Sequence, residues 1–261
     1  MTVPHADLDA VPLEVVGRIR AASNATFLAH VGDVPVVYKP VAGERPLWDF
    51  PDGTLAGREV AAYLVSESTG WGIVPRTWLR DGPHGPGMVQ LWQEVDAAQS
   101  PVDVVPTGEV PAEGVRTVLE GVDDADRPVT LVHEDSAALR RMAVFDAVVN
   151  NADRKGGHVL PLADGRRLGV DHGVTFHVEP KLRTVLWGWL GASLDDDERA
   201  GVARVRTGLG PDLDGDLARR LAGLLTPDEV AELARRCERL LSAARFPHPE
   251  GDMPAVPWPL F

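Results

Sequence analysis

A single cysteine, Cys237, stands in the 261 residues, so the chain can close no internal disulfide and build no cysteine-rich zinc site. No uncharged apolar stretch reaches the ~18 residues that a membrane-spanning helix needs. The amino-terminal run MTVPHADLDA has neither the basic nor the apolar segment of a signal peptide, and the expected location is the cytoplasm. Positive charge is in deficit, 26 Lys and Arg against 39 Asp and Glu, giving a formal net charge of −13. That balance argues against a general nucleic-acid binder and against an anionic-membrane binder, although a small basic pocket stays compatible with it. No internal period of repeat length is present, which excludes solenoids and propellers. There is no Gly-Lys dipeptide and hence no Walker A loop, and GxGxxG after a strand, GxSxG and HExxH are also missing.

What is present is an ordinary globular composition, 44% hydrophobic and 25% charged. The length suits one large domain or two lobes sharing a cleft. Short β-branched and aromatic runs predict strands at 12–20, 26–31 and 34–39, the last two joined by the turn pair Gly32-Asp33. A helix is expected over 55–68, closed near Gly70, followed by an antiparallel pair at 73–80 and 87–95. Residues 96–130, rich in Pro, Gly and acidic residues, read as an insertion or mobile connector with at most a short helix. Helical periodicity begins after Glu134, where Ala138, Met142, Phe145 and Val149 form one stripe. Two short strands (158–161 and 167–171) and an irregular segment with Trp187 and Trp189 precede helices at 193–207, 212–224 and 227–243. Thr226-Pro-Asp-Glu229 is a capping box for the last of these, and Cys237 falls on its apolar stripe.

The expected plan is therefore α+β. It comprises an N-lobe over 1–95, a connector over 96–130, a helical C-lobe over 131–246 and a Pro-rich tail over 247–261. The tail is expected to dock through its Trp and Phe, and the cleft between lobes is the expected ligand site.

Two carboxylates stand out. Asp153 lies in the polar loop NNADRKGGH after a helix, and Asp171 ends the second short strand. Phosphoryl transfer asks for one acid to orient an attacking hydroxyl and another to hold a metal on the phosphates. His158 is placed to supply a second ligand. In the first lobe Lys39 ends an apolar strand, a costly position for an ammonium unless it meets an anion, and Glu59 sits mid-helix. A strand Lys paired to a helix Glu is the protein-kinase device. His133, His172 and His177 lack a spacing that forces them onto one face and are expected to be structural, as are the tryptophans.

The strings SNATFLAHVGDVPVVYKP, REVAAYLVSE, FDAVVNNADR and VDHGVTF, in that order, resemble the phosphatidylinositol 3- and 4-kinase superfamily, nearest its type II 4-kinases. The NxDR loop also resembles that of HipA-type kinases, and the chain as a whole resembles an actinobacterial family distantly similar to that superfamily. The resemblance spans about 23–176 and implies a two-lobed protein-kinase-like fold, β-rich N-lobe over helical C-lobe, with ATP and Mg²⁺ or Mn²⁺ in the interlobe cleft. It implies that Lys39 binds phosphate, that Glu59 partners it, that Asp153 is the catalytic-loop aspartate with Asn151 and Arg154 flanking, and that Asp171 binds metal. Ser23 and Asn24 would lie in the phosphate-covering loop, here without the usual glycines, and Glu94 and Val95 in the hinge against adenine. The family's second metal ligand is usually Asn where this chain has His158, a better match for Mn²⁺ than for Mg²⁺.

The expected activity is transfer of the γ-phosphate to a hydroxyl of a protein or small molecule rather than a lipid, since no basic or amphipathic membrane face is evident. The rivals are a pseudokinase that binds nucleotide or a protein partner without transfer, a nucleotidyl transferase on the same fold, and, more distantly, a metal-dependent hydrolase built on the histidines.

Overall fold

The computed structural model describes residues 8, 10–19, 24–51, 53–251 and 253–261. Strands β1 (Leu13–Arg18), β2 (Phe27–Val31), β3 (Val34–Pro40), β4 (Thr77–Gly82) and β5 (Gly85–Leu91) form one antiparallel sheet in the order β1-β2-β3-β5-β4. Gly32 takes a φ of 60° in the β2–β3 turn, as the Gly-Asp pair predicts. On β3, Val36 and Tyr38 point into a small core with Ala29, Val31 and Val89, which leaves Lys39 on the other face by strand alternation. Gly87 faces Pro40, and a Cβ there would come within 2.4 Å of the Lys39 carbonyl oxygen. Only glycine lets β5 close on the end of β3 where Lys39 sits.

Helix α1 (Leu55–Thr69) has buried residues on nearly every side, because it lies between this sheet and the C-terminal helices. Its first free amides, Leu55 N and Ala56 N, donate to the Glu44 carboxylate at 3.1 and 2.8 Å, and Gly70 ends it in a left-handed conformation. Helices α2 (Ala137–Val149), α3 (Asp196–Leu209), α4 (Asp216–Leu221) and α5 (Pro227–Ala243) share the main core with α1. The capping box Thr226/Glu229 is formed at α5, and Cys237 is fully buried. The α+β arrangement expected from the sequence is what the structure has: an antiparallel sheet in the first half and helices in the second.

The structure corrects several expectations. Residues 96–130 are not a loop region: β6 (Val102–Pro106), β7 (Val115–Val122) and β8 (Pro128–Glu134) form a three-stranded antiparallel sheet in the order β6-β8-β7. Its strands were hidden because β7 is mostly exposed and β6 has a single buried residue, Val102, so only β8 carries a buried run. Strand β5 stops at Leu91 rather than 95, and β4 starts at Thr77 because the amides of Ile73 and Val74 donate to Ser66 Oγ instead of a ladder. The helix expected over 212–224 is only the six residues of α4. His158 belongs to a single 3₁₀ turn, Gly156–His158, ahead of the hairpin β9 (Val159–Pro161) and β10 (Arg167–Gly169). In the tail Trp258 is exposed, and docking runs through Val256, Leu260 and the backbone of 254–260, joined by the Phe261 ring. Among the described residues, no helix is long and apolar enough to cross a membrane.

Candidate active site

Three elements bring the predicted charges together. Lys39, at the end of β3, reaches Glu59 Oε1 on α1 at 2.6 Å and Asp171 Oδ1, just after β10, at 2.7 Å. The other Glu59 oxygen accepts from the His172 backbone amide at 3.0 Å, so Glu59 ties both the lysine and the Asp171-His172-Gly173 turn. Helix α1 is fixed against the helical core by Arg58, which donates to Glu229 Oε1 at 2.5 Å and to the Thr175 carbonyl at 2.6 Å. Asp171 adopts a φ of 64°, a left-handed conformation uncommon for a residue with a side chain. Burial works to lower the Lys39 pKa, but the charges of Asp171 and Glu59 outweigh it and hold the ammonium above its ordinary value. Lys39 in turn, against the effect of burial, keeps the Asp171 carboxyl well below the usual carboxylate range.

Asp153 lies in the loop after α2 and lines the same cavity, about 380 Å³, together with Lys39, Glu59, Asp171, Asn24 and Arg45. Its amide is held by Asn151 Oδ1 at 3.0 Å, and its carboxylate faces Lys155 Nζ at 3.5 Å. Burial pushes the Asp153 carboxyl above its ordinary value, Lys155 draws it back and the Asp171 charge raises it further, so the net shift is upward. A carboxylate made more basic in this way suits a proton acceptor. His158 Nε2 stands 3.4 Å from Asp171 Oδ2, and burial lowers its imidazole to about 4, which leaves the ring neutral with a lone pair to offer.

The remaining expectations divide. Asn151 and Arg154 do not reach the cavity, because both are fully buried. Arg154 donates to both oxygens of Asp146, at 2.7 and 2.9 Å, and its Nη2 meets His172 Nε2 at 2.6 Å. Asn151 Nδ2 also donates to Asp146, at 3.0 Å, so both residues build the loop from behind. Asn24 is at the cavity wall with Oδ1 accepting from the Arg45 amide at 3.0 Å, and Ser23 lies outside the described residues. Glu94 and Val95 are exposed beyond the end of β5 and do not line this cavity; Glu94 accepts from Trp92 Nε1 at 3.0 Å. The three histidines have separate structural partners, with His133 Nε2 accepting from Gly188 N and His177 Nδ1 from Glu179 N. Lys155 is a residue the sequence reading passed over, and its signal was the Asp-x-Lys spacing after Asp153.

A divalent ion would find two carboxylates and one neutral imidazole here. Among the described residues no group of three or more potential ligands is gathered on one point, so substrate oxygens or water would have to complete any coordination shell. A larger cavity, about 990 Å³, lies between α5 and residues 178–182 and shares none of these side chains. Its lining is mostly apolar, and Arg235 and Arg239 there are already paired with Glu232.

No protein-family model matches the chain. Against curated proteins it is 52% identical over 270 residues to Protein Rv2133c of Mycobacterium tuberculosis, across 98% of this chain and 95% of that protein. The chain belongs to the family of Protein Rv2133c. Among solved structures it is similar to the Helicobacter pylori proinflammatory kinase CtkA, at 11% identity and a TM-score of 0.48, over 92% of this chain and 94% of that one.

Proposed function

We propose that the chain is an ATP-dependent phosphotransferase of the phosphatidylinositol 3- and 4-kinase-like superfamily, acting in the cytoplasm on a hydroxyl of a protein or small molecule. The observation that carries this reading is Lys39 held between Glu59 and Asp171, at 2.6 and 2.7 Å, over a cavity that also contains Asp153. Lys39 would bind ATP phosphates. Asp153 would accept the acceptor's proton as its oxygen bonds to the γ-phosphorus, while the bond to the β-phosphate oxygen breaks and ADP leaves with the electron pair. Asp171, with His158 beside it, would hold Mg²⁺ or Mn²⁺, which supplies charge neutralisation at the phosphates. Lys155, close to Asp153, adds a second cation where negative charge develops.

A pseudokinase is the second reading. It is favoured by His158 in place of the usual Asn and by the direct ion pair that occupies Asp171 Oδ1.

A thermal-unfolding titration with ATP, with and without Mg²⁺ or Mn²⁺, combined with transfer of label from γ-labelled ATP, tests both. ATP at about 100 times its Kd adds about 2.7 kcal/mol and should raise Tm by about 5–10 °C. A metal-dependent rise with γ-label transfer supports the phosphotransferase, and a rise without transfer supports the pseudokinase. Transfer of α-label instead would move the reading to a nucleotidyl transferase, and no rise at millimolar ATP would overturn nucleotide binding altogether.

A further inference from the structure

The Asp153 loop has few backbone partners of its own and borrows them in two steps. Residues 183–185 pair alongside it: Arg183 N donates to the Asn151 carbonyl at 2.9 Å, Arg154 N to the Arg183 carbonyl at 3.0 Å, and Val185 N to the Arg154 carbonyl at 3.1 Å. The tail then pairs with 183–187 from the other side. Thr184 N and Trp187 Nε1 donate to the Ala255 carbonyl at 3.0 and 2.8 Å, and Arg183 Nε to the Pro254 carbonyl at 2.9 Å. Farther along, the tail meets the loop directly, where Gly156 N donates to the Leu260 carbonyl at 2.8 Å. The Phe261 ring covers Gly156 so closely that a Cβ on Gly156 would lie 2.3 Å from Cε1. Gly156 has no left-handed φ, so its backbone conformation is open to any residue and the ring alone demands glycine. Asp153 lies between Asn151 and Arg154, which residues 183–185 hold, and three residues before Gly156, which the tail holds.

Resting on the phosphotransferase reading, we propose that residues 254–261 are a positioning strap that holds Asp153 at its working place in the cavity, with Phe261 seated on Gly156 as its fastening. The strap touches no reacting atom. It acts directly at Gly156, three residues after Asp153, and through residues 183–185 at Asn151 and Arg154, and displacements of about 1 Å in such a group are enough to cost orders of magnitude in rate.

The test uses the full chain with Gly156→Ala, Phe261→Ala and the two combined. Each is assayed for kcat and KM for the acceptor, for ATP affinity and for Tm. The methyl of Gly156→Ala should expel the ring and lower kcat about tenfold, with ATP affinity and Tm little changed, and Phe261→Ala should lower it about threefold. In the double variant the methyl enters open space, so kcat should match Phe261→Ala alone. Multiplicative losses, a wild-type kcat in Gly156→Ala, or a matching loss of ATP affinity would overturn the strap.

Amide exchange gives a readout independent of turnover. The Gly156 and Thr184 amides should be protected in the full chain, and the Gly156 amide should exchange at least about tenfold faster in full-length Phe261→Ala. Unprotected amides in the full chain overturn the strap by themselves. A full chain that transfers no phosphate overturns the parent reading, and the positioning role with it, whatever the exchange shows.

Discussion

Two ion clusters share the Asp171-His172 turn, and they are built to opposite ends. Behind the loop, Asp146 and Arg154 are both fully buried, with Asn151 and His172 completing a dry network whose charges are wholly matched. In front, Lys39 bridges a nearly buried Glu59 and an Asp171 whose side chain is 47% exposed. The dry cluster spends its charge on holding backbone: Arg154 also donates to the carbonyls of His158 and Val170 at 3.2 Å. The wet cluster leaves one carboxylate and one ammonium open to the cavity, where the proposed function would bring a phosphate. On that proposal the contrast is between scaffold and chemistry among residues of the same types.

The sharpest way to break that contrast is Arg154→Met. It leaves Asp146 charged and buried and should cost about 3–5 kcal/mol in denaturant unfolding. A loss under about 1 kcal/mol would mean that the dry cluster is not structural.

Next in size is acid. Burial lowers the His158 imidazole to about 4 in the folded, metal-free protein, against about 6.5 when unfolded. Between those values the unfolded chain binds a proton that the folded one refuses. Stability should therefore be intact above about pH 6.5 and fall by about 3 kcal/mol on the way to pH 4. His172, held well below its ordinary value by burial and by Arg154, adds to the fall in the same direction. His158→Asn should flatten the profile of ΔG against pH measured with a chelator present, and an unchanged slope would show that His158 titrates normally.

The smallest stability effect belongs to the wet cluster. Lys39→Met should cost less than Arg154→Met, about 2 kcal/mol, because Glu59 loses a cation in a buried setting but keeps the His172 amide, while Asp171 can rehydrate. The same change should abolish the ATP-induced rise in Tm. A retained rise would remove Lys39 from the nucleotide site.

Much of this was legible in the chain. Turn and cap residues marked the β2–β3 hairpin, the end of α1 at Gly70 and the start of α5 at Thr226, and apolar stripes marked α2 and α5. That Lys39, Glu59 and Asp171 come together was legible from Lys39 at the end of an apolar strand and from the resemblance that pairs it with Glu59 and sets Asp171 after the second short strand. The three-stranded sheet was not, because β6 and β7 expose the faces that pattern reading relies on. The burial of Arg154 was not either: a charged residue in a polar loop gives no local sign that its partner, Asp146, lies on the preceding helix. That the tail docks through its Phe was expected, but the seat on Gly156 was not legible, because it depends on a contact between distant parts of the chain.

Cys237 turns the packing of α5 into a clock. Its thiol is fully buried, and burial pushes its pKa up to about 12, so at neutral pH in the folded chain it is neither exposed nor ionised. With no other sulfhydryl in the sequence, alkylation of this protein can proceed only as fast as α5 comes away from its neighbours. At reagent concentrations where alkylation outpaces reclosing, the rate at which a thiol reagent consumes the chain therefore times the opening of the helical core without an introduced label.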